Sequence, residues 1–278
     1  MDFILINIIS LYTKRRLYFT AMEGKHFSKE LKILNYGTHQ MNTPNQPAIQ
    51  VLNEELNVCS KCISIFPTNN SLLKHFDSCK IPFTPIYEEQ DFKISKISSL
   101  DKKQLLSLIT QIFIKSKTVY YEVANYDFFI LYDTEIIGYY SKYRDGPSSL
   151  NCLLVFPCFQ GCGWGTVLFD FCNIPVTSSD KSPEKNLIFQ PLSPEKPYSK
   201  KAIFCFRKYW KYKVIGGNTI NEISQETNLP VNDVILGLEQ QGFDFKKWKL
   251  SNMVHVKKPR ILSKRVFWLK TKKNNGKE

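Results

Sequence analysis

The sequence contains no uninterrupted apolar run of the roughly 18 residues that a membrane-spanning helix requires, so no such helix is expected. Acids are scarce: 25 Asp and Glu stand against 38 Lys and Arg, a formal charge of +13. That deficit points to a polyanionic partner: nucleic acid, an anionic membrane surface or a phosphate-rich cofactor. No repeat of about 20–50 residues recurs, which argues against a solenoid or a propeller. No Gly-Lys-Ser/Thr follows a Gly-rich turn, which excludes a P-loop, and no turn has the spacing of a dinucleotide fingerprint with a long βαβ unit after it. The 8 cysteines do not have the spacing of a disulfide scaffold. A chain of 278 residues does not need such staples, so a reducing compartment is expected.

What is present is enough apolar material, 43% of residues, to bury a core and to argue against wholesale disorder. Length alone suggests about two domains. The N-terminus carries an apolar stretch from Phe3 to Tyr12, followed by Lys14, Arg15 and Arg16. A secretory signal has the opposite order of charge and apolar run. Three readings stay open, in this order: a stray extension with Met22 as the true start, an element of the fold, or a membrane anchor.

Along the chain, residues 42–49 read as a loop rich in Asn, Pro and Gln. A helix is predicted from Leu105 to Ile114. Strands are predicted over 118–123, 128–132, 136–141 and 151–156, where β-branched and aromatic residues cluster. Residues 133–135 suit a hairpin. Gly161 to Gly165 opens a helix from Thr166 to Cys172, and 175–198 reads as a long Ser/Pro/Lys loop. Ile203, Phe206, Trp210 and Val214 recur at helical spacing within a helix over 199–215, stopped by Gly216 and Gly217. Two further helices are expected around Asn228 to Pro230. Residues 244–278 hold 12 Lys and Arg against two acids, so most of the charge excess sits there.

The first motif that carries chemistry is Cys59-x2-Cys62-x12-His75-x3-Cys79. Zinc takes four soft or borderline ligands in a tetrahedron, and a Cys-x2-Cys knuckle supplies two from one turn. A helix from Ser71 to Cys79, capped by Asn70, would place His75 and Cys79 on one face. Phe66 and Leu72 would fill the small core between turn and helix. Four protein ligands close the site, which makes a structural zinc the expectation. The predicted helix has only Lys74 and Lys80 as basic residues, too few for a base-reading helix, so bracing is favoured over DNA binding.

The second motif is a buried strand from Asn151 running into the Gly-rich turn Gln160-Gly-Cys-Gly-Trp-Gly165, which starts a helix. Glycines let the backbone approach a ligand closely, and open amides at a helix N-terminus favour phosphate.

Several segments together resemble the MYST histone acetyltransferases. The Cys/His spacing is that of the family's zinc finger. Lys117 to Val123 (KTVYYEV) resembles its Lys-Thr-Leu-Tyr-Tyr-Asp-Val, and Ile137 to Lys142 resembles Val-Gly-Tyr-Phe-Ser-Lys. Cys152 to Gly165 resembles the strand with the active-site cysteine and the Gln-Arg-x-Gly-Tyr-Gly acetyl-CoA loop. Ser193 to Ser199 (SPEKPYS), followed by Arg207 to Trp210, resembles Ser-Pro-Glu-Lys-Pro-Leu-Ser and the Tyr-Trp helix. Arg265 to Trp268 loosely resembles the terminal Leu-x-Trp. The likeness runs over roughly 50–270.

The resemblance implies a mixed α/β (α+β) fold with a GNAT-like acetyl-CoA core. Its parts are an extension with opening strands over 1–50, a zinc finger over 51–84, the core over 85–200, and a helical, winged-helix-like region with a basic tail over 201–278. It implies a general base at Glu195. Glu184, in a second Ser-Pro-Glu-Lys, is the competitor: it lies 32 residues after Cys152, against 43 for Glu195, but the residues after Glu195 match better. Residues 175–192 then contain an insertion. Cys152 would either carry the acetyl group or line the site while lysine attacks acetyl-CoA directly. Leu153, Gln160, Gly161, Cys162, Gly163, Trp164, Gly165, Thr166 and Ser199 would hold acetyl-CoA, and Lys117 matches the autoacetylated lysine. One departure stands out: Gly161 and Cys162 replace the family's Arg and the residue after it, so the loop lacks its own cation.

The activity implied is acetyl transfer to lysine in core-histone tails, histone four being the expected one, by a nuclear chromatin regulator. The basic tail would touch DNA without reading it. The short N-terminus has no room for a chromodomain or PHD-like segment, so accessory subunits would target the nucleosome. Two alternatives are an acetyltransferase for a non-histone protein and a catalytically degenerate homologue that binds chromatin or DNA through its zinc finger and winged helix.

Overall fold

The computed structural model describes residues 29–49, 51, 53–117, 122–144, 149–173, 193–196, 198–214, 219–245, 249–250 and 258–262. Residues 1–21, the first part of the strand expected over 118–123, Glu184 with the 175–192 insertion, most of the expected wing strand, and the tail from 263 lie outside them. The chain forms two compact units. One takes Met1–Phe83, Ile97–Ala124 and Thr134–Ile136; the other takes Thr84–Lys96, Asn125–Asp133 and Ile137–Glu278.

The first unit holds β1 (Ile33–Tyr36), β2 (His39–Asn42), β3 (Glu55–Val58), β4 (Ile65–Phe66), α1 (Asn69–Ser78) and α2 (Leu100–Phe113). Its strands lie in the order β2-β1-β3-β4. Buried Asn35 on β1 donates to Asn57 Oδ1 on β3 at 2.8 Å. These paired amides make the two interior strands β1 and β3 look polar in sequence; β1 and β2 fall within the 1–50 stretch where opening strands were expected. The helix α1 starts two residues before the expected Ser71, because Thr68 and not Asn70 caps it: Thr68 accepts from the Ser71 amide, and the Ser71 hydroxyl accepts from that of Thr68. Ser99 caps α2, which extends the predicted helix by a turn at its start.

The second unit is built around a six-stranded sheet of order β10-β9-β8-β7-β6-β5. Its strands are β5 (Tyr87–Glu89), β6 (Phe92–Ile97), β7 (Tyr126–Tyr132), β8 (Ile136–Tyr143), β9 (Ser149–Val155) and β10 (Ser193–Pro194). Phe128 to Tyr132 and Ile136 to Ser141 are all buried, on both faces. That explains why these strands read as continuous apolar runs instead of alternating. Phe128 stacks on Tyr139 and Phe129 on Tyr140, with ring centroids 5.5 and 4.8 Å apart.

Helices α3 (Trp164–Cys172), α4 (Lys200–Lys213), α5 (Ile220–Thr227) and α6 (Val231–Gln241) complete the unit. Phe206, Trp210 and Val214, three of the residues that announced α4, are buried in its core. Asp170 on α3 is fully buried and ties three segments together: it accepts from Tyr209 at 2.6 Å and from the Leu262 amide at 3.1 Å, and pairs with Lys213 at 2.9 Å. Asn228 ends α5 in the left-handed conformation, and Pro230 precedes α6. A short ladder pairs β11 (Phe243–Asp244) with β12 (Lys249–Leu250).

Gly138 on β8 faces Val155 on β9. A Cβ at Gly138 would sit 2.4 Å from the Leu154 carbonyl oxygen, so even a methyl group forces the two strands apart. Gly138→Ala is therefore expected to lower unfolding free energy by about 1–3 kcal/mol. Chemical denaturation checks this, and an unchanged midpoint contradicts the close approach.

Candidate active site and metal centre

The strand β9 brings the candidate catalytic residues together. It runs antiparallel to β8 with Ser141 opposite Cys152 and Lys142 opposite Leu150. Asn151 thus has no partner in the register, a β-bulge that redirects its side chain. On the other side of β9, β10 runs parallel, with Ser193 opposite Ser149 and Pro194 opposite Leu150. The Glu195 amide continues this pairing by donating to the Leu150 carbonyl at 3.2 Å. Glu195, 43 residues from Cys152 in sequence, therefore arrives beside the residue that precedes Cys152.

Asn151 makes the connection. Its Oδ1 accepts from the Tyr143 amide at 2.7 Å, and its Nδ2 donates to Glu195 Oε1. The amide is fixed at one end by backbone and orients the carboxylate at the other. Glu195 is exposed, so an incoming amine has access to it. Cys152 is buried, with its Sγ 3.6 Å from the Tyr139 hydroxyl. The strand β10 is held from below: Ser193 Oγ donates to Asp233 Oδ1 of α6 at 2.8 Å. Burial pushes the Asp233 carboxyl up to about 6, opposed by Ser193 and the Trp210 indole.

Beyond β9 the backbone makes a 3-10 turn, Pro157–Phe159, and then the Gly-rich turn. Gly161 and Gly163 adopt φ of +87° and +81°, which only glycine enters without strain. Nothing lies within 4 Å of where a Cβ on Gly161 would be, so this backbone is open to a ligand. The helix starts at Trp164, two residues before the expected Thr166, and no side chain caps it. Its first amides thus point at the turn without a side-chain acceptor, an arrangement suited to phosphate. Gln160 Nε2 donates to the Val155 carbonyl at 2.8 Å, anchoring the turn's entrance. Thr166 faces inward, donating to the carbonyl of Gly163 or of Arg260, each at 2.7 Å. Leu153 is half-buried on β9, and Ser199 caps α4 by accepting from the Ala202 amide at 3.2 Å. These features fit the phosphate-bearing half of acetyl-CoA.

Two cations from other segments lie against the turn. Lys201 donates to Gln160 Oε1 at 3.0 Å. The Arg260 guanidinium lies 3.3 Å from the centre of the Trp164 ring and donates to the Cys162 carbonyl at 3.3 Å. Neither residue was singled out from the sequence, where Arg260 fell in the basic stretch over 244–278 and Lys201 in the helix over 199–215. Asn151 was missed too. Its signal was a lone polar residue opening an apolar strand.

In the first unit, one ligand atom from each of Cys59, Cys62, His75 and Cys79 lies within 4.8 Å of the others. Ile63, beside Cys62, is forced to φ +56° by the knuckle, whose backbone closes through Ile63 N to Cys59 O at 2.9 Å. Leu72, Phe66 and Phe76 pack around the group, and the Phe66 ring lies 4.5 Å from that of His75. The Cys62 thiol is pushed down to about 4, chiefly by hydrogen bonding from Cys59, with Ser64 and His75 adding to it. The number and type of these four donors suit tetrahedral zinc. Lys117 lies in this same unit, half-buried just past α2, with its carbonyl accepting from Gln111 Nε2 at 3.0 Å.

Residues 80–277 match the model of the MOZ/SAS family. The chain is 26% identical over 262 residues to histone acetyltransferase mst2 of Schizosaccharomyces pombe, covering 86% of this chain and 62% of that protein. It is 28% identical over 243 residues to the histone acetyltransferase Tip60 homolog of Caenorhabditis elegans, covering 77% and 51%. It is 27% identical over 265 residues to histone acetyltransferase MOF of Drosophila melanogaster, covering 85% and 31%. The chain therefore spans only part of the length of each.

Metal titration tests the first unit's centre. Metal-free protein is expected to take up one equivalent of zinc and to melt at a higher temperature with it. Cys62→Ser should weaken that uptake sharply. Undiminished zinc binding in the variant would contradict the four-donor assignment.

Proposed function

The chain belongs to the MOZ/SAS family, the MYST-type histone acetyltransferases, and on that premise we propose that it transfers the acetyl group of acetyl-CoA to the ε-amine of lysine in core-histone tails, with histone four as the expected substrate. The observation that carries this reading is the β9–β10 pairing, which seats Glu195 against Asn151, the neighbour of Cys152.

Acetyl-CoA supplies an activated thioester carbonyl. Glu195 accepts a proton from the substrate ammonium, which frees the lone pair of the nitrogen. The amine forms the new C–N bond, the C–S bond breaks, and the sulfur leaves as coenzyme A thiolate, which takes up the second proton released from the nitrogen as the neutral amide forms. Cys152 either accepts the acetyl group first or forms the wall of the site against which the amine attacks. Gln160 to Thr166, with Leu153 and Ser199, hold the cofactor. The Cys59, Cys62, His75 and Cys79 group holds a structural zinc, and Lys117 is the site of autoacetylation.

The helices α5 and α6 with the β11–β12 ladder form a winged-helix-like region. Together with the basic residues of 244–278, it faces DNA electrostatically, in a nuclear enzyme that works with accessory subunits. Among the described residues no helix is long and apolar enough to cross a membrane. A catalytically degenerate binding protein has less behind it, because Asn151, Cys152 and Glu195 are gathered in one place.

Labelled acetyl-CoA incubated with the protein and core histones tests the proposal. The protein is expected to label histones. Glu195→Gln should lose about 10²–10⁴-fold in rate, the usual range for a general base, while Glu184→Gln keeps most of it. Absence of both transfer and acetyl-CoA binding overturns the proposal. Loss in Glu184→Gln with retention in Glu195→Gln moves the base.

A further inference from the structure

The Gly-rich turn has no basic residue of its own, yet two cations from distant segments converge on it. Arg260 arrives on a short strap, residues 258–262, that is fastened to α3 at Arg260 and Leu262. Its backbone carbonyl accepts from Thr166, and the Leu262 amide donates to buried Asp170. The strap lies close against the turn: a Cβ on Gly163 would be 2.8 Å from Arg260 Cβ. The guanidinium is held flat on Trp164, donates to the Cys162 carbonyl and pairs with Asp91. A planar guanidinium has five donors, so this set leaves some to spare.

Lys201 makes a second, independent argument. It lies in the first turn of α4 beside Lys200, and that turn holds no acid. Cations at a helix N-terminus oppose the macrodipole. An anion bound between them and the uncapped start of α3 reverses that penalty. Lys201 already touches Gln160, the turn's first residue.

We infer that Arg260 and Lys201 are the phosphate-binding cations of the acetyl-CoA turn, supplied from two distant segments in place of a loop arginine. The inference rests on the acetyltransferase reading and names residues for that same site. Arg260 is the larger contributor, because stacking and its hydrogen bond to Cys162 fix its orientation before the ligand arrives. Asp91 positions it and also competes for it.

Calorimetric titration of the full chain with acetyl-CoA tests this, alongside competition by S-acetyl-pantetheine, which has the same thioester and no phosphate. Arg260→Gln is expected to weaken acetyl-CoA about tenfold, the effect of one charge-assisted hydrogen bond at a partly exposed group. Lys201→Gln should weaken it less, and both should leave the pantetheine ester unchanged. Arg260→Lys should recover part of the loss, and Asp91→Asn should tighten acetyl-CoA. In wild-type protein, affinity should fall with salt more steeply than in Arg260→Gln, a comparison that is independent of the variant's absolute affinity. Equal losses for acetyl-CoA and the pantetheine ester mean that Arg260 only braces the turn, and overturn the inference. Unchanged acetyl-CoA affinity in both variants does the same while leaving the acetyltransferase reading intact. Failure of the wild-type protein to bind acetyl-CoA overturns that reading itself.

Discussion

The pairing of β9 between an antiparallel and a parallel neighbour is the constraint on which the candidate site depends. On one side β8 holds it through a ladder close enough that Gly138 admits no side chain. On the other, two residues of β10 and the Glu195 amide extend the sheet by its last strand. The bulge at Asn151 joins the two relationships: one amide side chain reaches back to Tyr143 and forward to Glu195. Because β10 is so short, it depends on support from outside the sheet. Ser193 reaches Asp233 at the start of α6, which connects the C-terminal helices to the strand that carries Glu195.

A second dependence runs through Asp170. A buried carboxylate costs several kcal/mol in lost solvation unless it is paired, so its partners are not optional. Tyr209 and Lys213 fix α4 to α3, and the Leu262 amide fixes the strap that delivers Arg260. The geometry of the Gly-rich turn is thus set by a group two turns of helix away.

Much of the second unit was legible in the sequence because its strands are buried on both faces and its helices carry regular apolar spacing. Phe128 to Tyr132 and Phe206, Trp210 and Val214 are examples. The metal group was legible for a different reason: ligand spacing is a local property of the chain, and all four donors converge as expected. What stayed hidden was non-local or polar. The polar look of β1 and β3 comes from buried asparagines that satisfy each other only after folding. Asn151 gained its meaning from a register irregularity that no periodicity encodes. Arg260 looked like part of a basic tail, and only the fold places it 98 residues back along the chain, against Cys162. The charge excess, which first suggested a generic polyanion, thus includes individual cations held against the Gly-rich turn.

In the proposed reaction, Asn151 orients Glu195 for proton transfer. The most direct measurement is the steady-state kinetics of Asn151→Ala at several pH values, with acetyl-CoA binding measured in parallel. A kcat lowered by about tenfold is expected, because the carboxylate loses the hydrogen bond that orients it. Acetyl-CoA affinity and melting temperature should stay near those of the wild-type protein. A kcat and pH profile unchanged from wild type would contradict it.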